Sequence, residues 1–504
     1  METLIFGPPG TGKTTKLLGI VDEALSNGVN PSRIGFVSFS KKAATEAKDR
    51  AVEKFGIDPK HLTHFRTLHS LAFQYLGLST KDVFKGPDYN ELERLIGLPF
   101  SSHASLRVDD GPIFTGGKQG DAYLNVINLA RARMISVEKQ FHESNDWRLN
   151  LSQLKVINNA LARYKDVHDK MDFVDMIEQF IAGSEGPDLD LLIVDEAQDL
   201  VPLQWRMVKE ILVPRAKRVY YAGDDDQCIY SWMGVSVEEF MNACDDVVVL
   251  NKSYRLPREV YNVAQHLVKR IGIRQQKVWA PNDHDGSVEY HYDIMNLDLR
   301  TGEWLILGRT NFIVNKIAKD LRDQGYLFWR EGTGWSISPN TLKALEVWLR
   351  LCRGETFTSE EVKEFGKFLR TENITRAGKK LLNKLDPEEV YTLDDIIEKC
   401  NLLVTKETHW SDVIKVSEKE VLYISSVRRG GERILGDAKP RIRLSTIHKA
   451  KGGEADNVAL LTETSRACAE SPDQDSEVRT FYVGATRARH NLHIIESGWE
   501  RFRI

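Results

Sequence analysis

The sequence contains no long hydrophobic run. A membrane-spanning helix needs about 18 to 20 consecutive apolar residues, and no segment of this chain approaches that length. The first twenty residues are occupied by a glycine-rich loop and its flanks rather than by the apolar core of a secretion signal. These absences argue against the membrane classes, and we expect a cytoplasmic protein.

Cysteine is also scarce. The 504 residues include five cysteines, Cys228, Cys244, Cys352, Cys400 and Cys468. They are odd in number, far apart and without C-x-x-C spacing, so the pattern supports neither a disulfide framework nor a zinc site. We expect all five to be reduced thiols.

No charge of one sign dominates the chain. The 69 Lys and Arg residues nearly balance 73 Asp and Glu residues, which gives a formal net charge of −4. The total charge therefore does not indicate nucleic-acid binding, although a local patch can do so. Residues 425–451 form such a basic segment, with eight Lys and Arg against two acidic residues and a net charge of +6. It is either a solvated face or an anion-contacting surface.

The most informative motif lies near the N-terminus. Residues 7–14 read GPPGTGKT, between the apolar run 3–6 and a helix-forming segment. In a G-x-x-x-x-G-K-[ST] loop, glycines let backbone N–H groups turn toward a phosphate at a helix N-terminus. Lys13 is expected to neutralise the β- and γ-phosphates, and the Thr14 hydroxyl to hold Mg²⁺. The loop predicts a nucleoside triphosphate site.

Short apolar runs alternate with helical stretches along the chain. The predicted strands are residues 3–6, 34–39, 191–194, 218–222, 247–250, 304–307, 442–445, 458–461 and 492–495. Such runs are typical of buried parallel strands, and their alternation with helices predicts an α/β fold. One amphipathic helix is expected after Ser40, its predicted N-cap, with apolar residues at helical spacing from Ala43 to Phe55. The early and late strand groups predict two sheets.

Two acidic residues end one of these strands. Asp195 and Glu196 follow the run 191–194, at the strand end where an open α/β sheet presents ligands. A carboxylate there can hold the Mg²⁺ shell, and a second can orient or deprotonate the attacking water. We assign Asp195 to the metal and Glu196 to the water; an N-cap or an acidic turn is the alternative.

A third motif makes a family resemblance specific. Residues 223–234 read GDDDQCIYSWMG and follow the next predicted strand. In order with GPPGTGKTT, VDEAQD, LNKSYR (250–255), STIHKAKGGE (445–454) and FYVGATRAR (481–489), the set resembles superfamily 1 DNA helicases of the UvrD/Rep/PcrA type. The matching motifs span residues 5 to 490.

The resemblance implies two RecA-like P-loop domains with parallel sheets, each carrying a mostly helical insertion. ATP and Mg²⁺ would be bound in the cleft between these domains. We expect the first domain to comprise residues 1–76 and 151–250, with its insertion at 77–150. The second domain would comprise residues 251–340 and 426–504, with a shortened insertion at 341–425.

The resemblance also implies roles around the nucleotide. Arg255 and Arg487 match arginines that stabilise transition-state charge, Gln227 a γ-phosphate sensor, Tyr254 an adenine-stacking ring and Glu454 a ribose contact. The alternatives are ion pairs for the arginines, a turn role for Gln227 and a core position for Tyr254. The loop residues expected to bind the nucleotide are Gly7, Pro8, Pro9, Gly10, Thr11, Gly12, Lys13, Thr14 and Thr15.

Binding of single-stranded DNA needs stacking rings and phosphate contacts. Trp232 is the predicted base platform, with a core position as its alternative. The segments TLHS (67–70) and STIH (445–448) resemble strand-contacting motifs of the family, although their histidines are alternatively structural. The predicted DNA-contacting residues are Phe39, Phe65, Thr67, His69, Tyr230, Trp232, Arg309, Thr446 and His448.

Two departures from the family pattern change the expectations. Residues 451–455 read KGGEA where K-G-L-E-[FY] is usual, and the second glycine loosens the backbone around Glu454. Only six residues precede Gly7, whereas the family's adenine-reading glutamine motif lies some twenty residues before the loop. We therefore expect base selectivity to depend on Tyr254, and other purine triphosphates to be hydrolysed as well.

Together these features predict an ATP-dependent DNA helicase that moves 3′ to 5′ on single-stranded DNA, acts at single-strand to duplex junctions and works as a monomer. One alternative is a translocase that strips proteins but unwinds weakly, since the second insertion is short. Another is a DNA-binding regulator with a non-working motor. A small-molecule phosphotransferase would leave Trp232, His69 and Arg487 unexplained.

Overall fold

The computed structural model describes residues 1–39, 41–101, 117–144, 146–430, 440–498 and 500–504. The chain forms two compact units. Unit 1 comprises residues 1–285 and 471–486, and unit 2 comprises residues 286–470 and 487–504. The predicted N-cap Ser40 and residues 431–439 of the basic segment lie outside the described residues.

Unit 1 is built on a six-stranded parallel sheet with the strand order β3-β2-β4-β5-β1-β6. Its strands are β1 (Glu2–Phe6), β2 (Ile34–Ser38), β3 (His64–Thr67), β4 (Leu189–Asp195), β5 (Ala216–Gly223) and β6 (Val247–Val249). Apart from β6 at the edge, the strands are largely buried because helices cover both faces of the sheet. The carboxyl ends of β1, β4 and β5 therefore meet at one edge, which is where ligands bind in open α/β sheets.

The helices of unit 1 include one set that covers the sheet and another that forms an insertion. They are α1 (Lys13–Ser26), α2 (Lys41–Phe55), α3 (Leu68–Tyr75), α4 (Gly86–Ile96), α5 (Gln119–Ala132), α6 (Val137–Ser144), α7 (Leu151–His168), α8 (Phe173–Gly183), α9 (Pro202–Met207), α10 (Val237–Met241) and α11 (Arg258–Val268). Helices α4, α5 and α7 enclose an apolar core of their own around Leu92, Tyr123 and Ile157. The described part of the predicted insertion 77–150 is therefore helical, and its core also includes α7, which lies beyond the predicted boundary.

Unit 2 contains a seven-stranded sheet with the order β10-β9-β13-β8-β14-β15-β7, parallel except for the β9–β10 pair. Its strands are β7 (Ser287–His291), β8 (Trp304–Gly308), β9 (Trp329–Arg330), β10 (Gly334–Trp335), β13 (Ile442–Thr446), β14 (Ala455–Leu461) and β15 (Ala488–Ile495). A separate two-stranded ribbon joins β11 (Phe357–Thr358) to β12 (Val390–Tyr391).

The predicted second insertion, residues 341–425, is also mostly helical, with a core around Trp348, Phe365 and Ile424. The helices of the second half are α12 (Asn311–Asp323), α13 (Pro339–Leu351), α14 (Ser359–Gly366), α15 (Arg376–Leu382), α16 (Leu393–Cys400), α17 (Trp410–Val413), α18 (Glu418–Arg429), α19 (Arg466–Ala469) and α20 (Gln474–Ala485). Of these, α20 belongs to unit 1 although the chain reaches it from unit 2.

The structure confirms the predicted α/β class, the two parallel sheets and the nine predicted strands. The helix expected after Ser40 is α2. Strands β3 and β7 were missed because their sequences, HFRT and SVEYH, mix polar and apolar residues and lack the continuous apolar run. Within the described ranges, no helix is long and apolar enough to cross a membrane.

The compact units do not follow the predicted domain boundaries. Residues 251–285 pack with unit 1, and so do residues 471–486, although both were assigned to the second RecA-like domain. Compact packing and evolutionary domain limits are different properties, so the four-part division stays a prediction.

Candidate nucleotide and nucleic-acid site

The loop between β1 and α1 has the backbone geometry of a phosphate cradle. Gly10 and Gly12 have φ angles of 72° and 75°, in the left-handed region that glycine enters at little cost. The Thr11 hydroxyl donates to the Pro8 carbonyl oxygen at 2.8 Å and closes the turn. Gly12 is the N-cap of α1, so the loop delivers a ligand to the positive end of the helix dipole.

A second segment, residues 250–256, packs directly against this loop. The Ser253 hydroxyl is buried and donates to the Pro9 carbonyl oxygen at 2.7 Å, and the Tyr254 N–H donates to the Gly10 carbonyl oxygen at 2.8 Å. A Cβ atom on Gly10 would lie 2.3 Å from the Arg255 Cβ. The structure thus brings Tyr254 and Arg255 to the loop, within unit 1. Sequence reasoning missed Ser253, whose hydroxyl holds the two segments together.

We expect Gly10→Ala to weaken ATP binding at least about tenfold. The new Cβ would overlap Arg255, and the left-handed φ strains any other residue, each an effect of about 1 kcal/mol or more. Titration with a fluorescent ATP analogue measures the loss. Gly19→Ala is the matched control, because Gly19 is on the exposed face of α1 and its added Cβ would have no neighbouring atom within 4 Å. Unchanged affinity in Gly10→Ala would contradict the tight packing.

Tyr254 is an exposed ring beside the cradle. Its side chain is 75% exposed, and two of its ring carbons lie 3.8 Å from the position of a Cβ on Gly12. The predicted alternative of a core position is therefore wrong for this residue. An exposed aromatic face next to a phosphate loop is suited to stacking on a nucleotide base.

The predicted carboxylates lie at the end of β4, opposite Lys13. The Lys13 Nζ atom is 2.6 Å from Glu196 Oε1 and 3.4 Å from Asp195 Oδ1. Burial opposes the lysine charge, but the two carboxylates outweigh it and hold the pKa of Lys13 above its ordinary value. Burial also raises the pKa of Asp195. A hydroxyl at Thr14 with the Asp195 carboxylate is a donor set that suits Mg²⁺, which prefers oxygen ligands.

Glu196 is held in an unusual backbone conformation. Its φ of 53° places a non-glycine residue in the left-handed region, at a cost of about 1–3 kcal/mol. The buried Gln198 amide donates to Glu196 Oε2 at 2.6 Å and accepts from the Asp224 N–H at 3.2 Å. A Cβ on Gly223 would lie 2.1 Å from Gln198 Oε1, so this contact requires glycine. Gln198 fixes the Glu196 side chain and joins the ends of β4 and β5.

The acidic turn after β5 is buried, and its three carboxylates pair with two cations that the sequence did not reveal. The Lys277 side chain is fully buried; its Nζ atom lies 2.7 Å from Asp224 Oδ1 and 2.8 Å from Asp226 Oδ2, and it also contacts Asp225. Arg274 forms a two-pronged pair with Asp226, at 2.8 and 2.6 Å. Burial opposes the Lys277 charge, yet the three carboxylates raise the pKa of Lys277 above its ordinary value. This turn holds Gln227, whose amide donates to Asp224 Oδ2 at 2.8 Å.

Helix α20 packs on the same turn. The buried Arg479 guanidinium donates to the Asp225 carbonyl oxygen at 3.0 Å. Tyr482 is buried nearby, and burial together with Asp224 and Asp226 raises the pKa of its phenol well above the ordinary value. The phenol therefore stays neutral, and the turn is supported from both the 274–277 segment and α20.

In unit 2 the structure brings Arg487 and the segment around Glu454 together. Arg487 is 2% exposed, and its guanidinium donates to the Gly453 carbonyl oxygen at 3.3 Å. The Ala455 N–H donates to the Arg487 carbonyl oxygen at 3.2 Å, where β14 and β15 begin. The Glu454 carboxylate lies 3.7 Å from the Arg489 guanidinium.

The predicted DNA-contacting residues of unit 1 divide by exposure. Phe65 is buried and stacks on Phe36, Thr67 caps α3 by accepting from the Ser70 N–H, and Phe39 is buried beside Tyr230. His69 is buried edge-on against Phe173, and burial lowers its pKa to about 4, so its ring is neutral at physiological pH. Trp232, at 48% exposure, offers the accessible ring.

The predicted DNA contacts of unit 2 lie at the carboxyl ends of two neighbouring strands. Gly308 pairs with Thr446 in the register of β8 and β13, so Arg309 and His448 follow at the same edge. Thr446 is buried and its hydroxyl accepts from the Lys449 N–H at 3.4 Å, whereas Arg309 and His448 are partly exposed. Sequence position and register agree here, but DNA contact by any of these residues stays a prediction.

A phosphate loop on β1, paired carboxylates at the end of β4 and a polar turn after β5, all at one edge of a parallel sheet, define a P-loop nucleoside triphosphatase of the RecA-like type. Comparison with protein families makes this more specific. The profile of the UvrD/REP helicase N-terminal domain matches residues 1–247, and that of the UvrD-like helicase C-terminal domain matches residues 356–498. The chain belongs to the UvrD/Rep family of DNA helicases.

Individual relatives are distant. The chain is 22% identical to a probable DNA helicase II homolog of Mycoplasma genitalium, over 97% of this chain and 82% of that protein. It is 21% identical to the ATP-dependent DNA helicase PcrA of Staphylococcus epidermidis, over 73% of this chain and 51% of that protein. It is also 21% identical to PcrA of Staphylococcus aureus, over 64% of this chain and 44% of that protein. The chain thus spans about half the length of the PcrA proteins it matches.

Proposed function

We propose that this protein is an ATP-dependent DNA helicase that moves 3′ to 5′ along single-stranded DNA and separates duplex at single-strand junctions. The observation that carries the proposal is the arrangement of the expected hydrolytic residues in unit 1 of a UvrD/Rep family member. That set is the glycine cradle, Lys13 against Asp195 and Glu196, and Gln198 holding the Glu196 carboxylate.

The geometry suggests how phosphate binding activates hydrolysis. Lys13 is 2.6 Å from Glu196 Oε1, and a γ-phosphate in the cradle would compete for the same ammonium group. When Lys13 turns to the phosphate, its ammonium group moves away from Glu196, and this carboxylate becomes a better acceptor for the proton of the attacking water. Gln198 keeps the carboxylate oriented during this exchange. Mg²⁺ held by Thr14 and Asp195 would neutralise charge on the phosphates.

The surroundings of Arg255 support its proposed role in stabilising transition-state charge. Arg255 is against Gly10, where a guanidinium can approach the phosphates, and an arginine finger contributes about 10³ to 10⁵ in rate. We propose Tyr254 as the base-stacking ring, and Arg487 and Glu454 as further nucleotide contacts. We also propose the predicted division into domains 1–76 with 151–250 and 251–340 with 426–504, with insertions at 77–150 and 341–425.

A continuous hydrogen-bonded path links the carboxylate to the aromatic segment. Glu196 accepts from Gln198, Gln198 accepts from the Asp224 N–H, and Asp224 accepts from the Gln227 amide. Gln227 lies five residues before Trp232 on the same turn-rich segment. We propose that the state of the γ-phosphate reaches the DNA-contacting ring of Trp232 by this route.

We expect Trp232→Ala to leave basal ATP hydrolysis within about twofold of wild type and to reduce its stimulation by single-stranded DNA about tenfold or more. Stacking of a base on an aromatic ring contributes about 1–3 kcal/mol, and the half-exposed ring can be removed without opening the core. Trp147→Ala is the control, because Trp147 is 91% exposed on the insertion. Loss of basal activity in Trp232→Ala would instead make this residue part of the core.

Polarity is tested with two partial duplexes of the same sequence. The proposal predicts ATP-dependent separation of a duplex with a 3′ single-stranded tail and little separation of one with a 5′ tail. Preference for the 5′ tail would contradict the proposed direction.

The second candidate is a translocase with weak unwinding, which is favoured by the short second insertion predicted at residues 341–425. It predicts displacement of streptavidin from the 5′-biotinylated end of single-stranded DNA, toward which a 3′ to 5′ motor moves, without duplex separation. A chain that separates 3′-tailed duplex at a rate similar to its streptavidin displacement would exclude this candidate.

A further inference from the structure

An edge of the sheet in unit 2 carries a cluster of metal-ligand side chains that the nucleotide chemistry does not use. Among the described residues, two groups of three or more such side chains converge. One is the acidic turn Asp224, Asp225 and Asp226, whose centre is occupied by the Lys277 ammonium. The other is Glu289, His291 and His493, with which no lysine or arginine of the described residues forms an ion pair.

The strand pairing explains why these three side chains meet. Glu289 and His291 lie two residues apart on β7, so their side chains leave the same face of the strand. The register of β7 and β15 places His493 directly beside Glu289. The three donors come from two adjacent strands of a hydrogen-bonded sheet, which holds their relative positions.

The distances fit one face of a tetrahedral metal site. His291 Nε2 is 3.2 Å from His493 Nδ1 and 3.4 Å from Glu289 Oε2, and His493 Nδ1 is 3.6 Å from Glu289 Oε2. Zinc bonds of about 2.0–2.1 Å in tetrahedral geometry place neighbouring donors about 3.3 Å apart. The observed triangle has sides close to that value, whereas an octahedral site with the same bonds has adjacent donors about 2.9 Å apart.

The surroundings also suit a site with one open position. The Trp304 ring lies against His493 with 5.0 Å between ring centroids, and this contact restricts the imidazole on its inner side. The Glu289 side chain is 54% exposed on the outer side, which leaves access from solvent. Two imidazoles and one carboxylate are a common protein ligand set for zinc, and three protein ligands leave the fourth position for water.

We propose that Glu289, His291 and His493 bind one zinc ion, with water as the fourth ligand, and that the ion fastens the edge strand β7 to β15. This site is in unit 2 and does not depend on the proposed helicase activity. The site was not predicted from sequence because its ligands are a Glu-x-His pair and a histidine about 200 residues later, without cysteine. The expectation of no zinc site rested on cysteine spacing alone.

The test is spectroscopic titration of the untagged, metal-free protein with Co²⁺, followed by displacement with Zn²⁺. We expect one Co²⁺ per chain with the strong visible absorption of a tetrahedral site, lost on addition of one equivalent of Zn²⁺. Glu289→Gln and His291→Gln should each weaken binding at least about 100-fold, because even second-shell changes cost 10- to 100-fold. Both side chains are partly exposed, and the folding of each variant is checked by circular dichroism.

His490→Gln is the matched control. His490 is on β15, the strand of His493, and its side chain is 51% exposed and 3.6 Å from Asp456 Oδ1. This variant should bind Co²⁺ like wild type. Three results would overturn the proposal. They are no visible absorption at millimolar Co²⁺, Co²⁺ binding by the Glu289 and His291 variants that equals that of wild type, or an ultraviolet thiolate charge-transfer band that assigns the metal to cysteine.

Discussion

The Lys13→Ala variant is expected to hydrolyse ATP about 10² to 10³ times more slowly than wild type, as is typical when a preorganised charge-stabilising group is removed. Lys13 is the cation between the glycine cradle and the paired carboxylates. Without it, the developing phosphate charge loses its nearest stabilising group, and Asp195 and Glu196 lose the ammonium group that pairs with both of them. A steady-state phosphate-release assay at saturating ATP measures the effect.

Lys16→Ala is the control for this change. Lys16 is exposed on the first turns of the same helix, and its replacement by alanine should leave hydrolysis within about twofold and stability within about 0.5 kcal/mol. Circular dichroism of both variants separates a lost chemical role from a lost fold. A folded Lys13→Ala protein with wild-type turnover would refute the assignment of the cradle.

Replacement of Lys277 by methionine is expected to lower the free energy of unfolding by about 3–5 kcal/mol, because breaking a buried ion pair leaves uncompensated buried charge. The fully buried Lys277 ammonium contacts all three carboxylates of the 224–226 turn. Methionine has a similar length, so the loss reflects charge more than volume. Urea unfolding followed by circular dichroism measures the loss of free energy, as a shift of the first unfolding transition to lower urea concentration.

Two further variants make this result specific. Lys269→Met removes an exposed lysine at the end of α11 and should change stability by less than about 0.5 kcal/mol. Asp225→Asn added to Lys277→Met removes one of the uncompensated charges and should recover part of the loss. If the double variant is less stable than Lys277→Met, charge is not the reason for the effect.

The sequence predicted the parts of the site that lie in single continuous segments. Gly7 to Thr14 and the Asp195-Glu196 pair combine a buried strand with a fixed spacing of functional residues, so local pattern is sufficient to locate them. The strands were found for the same reason, since β1, β2, β4 and β5 are almost uninterrupted apolar runs. Their common edge then follows from parallel pairing.

The partners that hold these groups were not predictable in the same way. Ser253 contacts a residue 244 positions away, and Lys277 contacts one about 50 positions away. Ser253 lies in the LNKSYR segment, but the segment does not show what its hydroxyl contacts, and nothing in the local sequence of Lys277 distinguishes it from a surface lysine. The three consecutive aspartates after β5 did carry a signal, because buried carboxylates require a cation. That requirement predicts that a lysine or arginine is present, but not which of the 69 it is.

Exposure is the property that sequence reasoning treated least well. Phe65 was grouped with Trp232 as a stacking ring and His69 as part of a family motif, yet both are buried and Trp232 is half exposed. A buried residue can shape a DNA-binding surface without touching DNA. Trp232 is therefore the residue of this group whose replacement best separates DNA contact from packing.

The central claim is that unit 1 hydrolyses ATP for work on DNA. The most direct measurement is the rate of ATP hydrolysis by the wild-type chain with and without a saturating single-stranded oligonucleotide, at low salt because phosphate contacts weaken as salt rises. The account predicts a stimulation of about tenfold or more, a factor that corresponds to the free energy of stacking one or two bases on aromatic rings. An equal rate with and without DNA would contradict it.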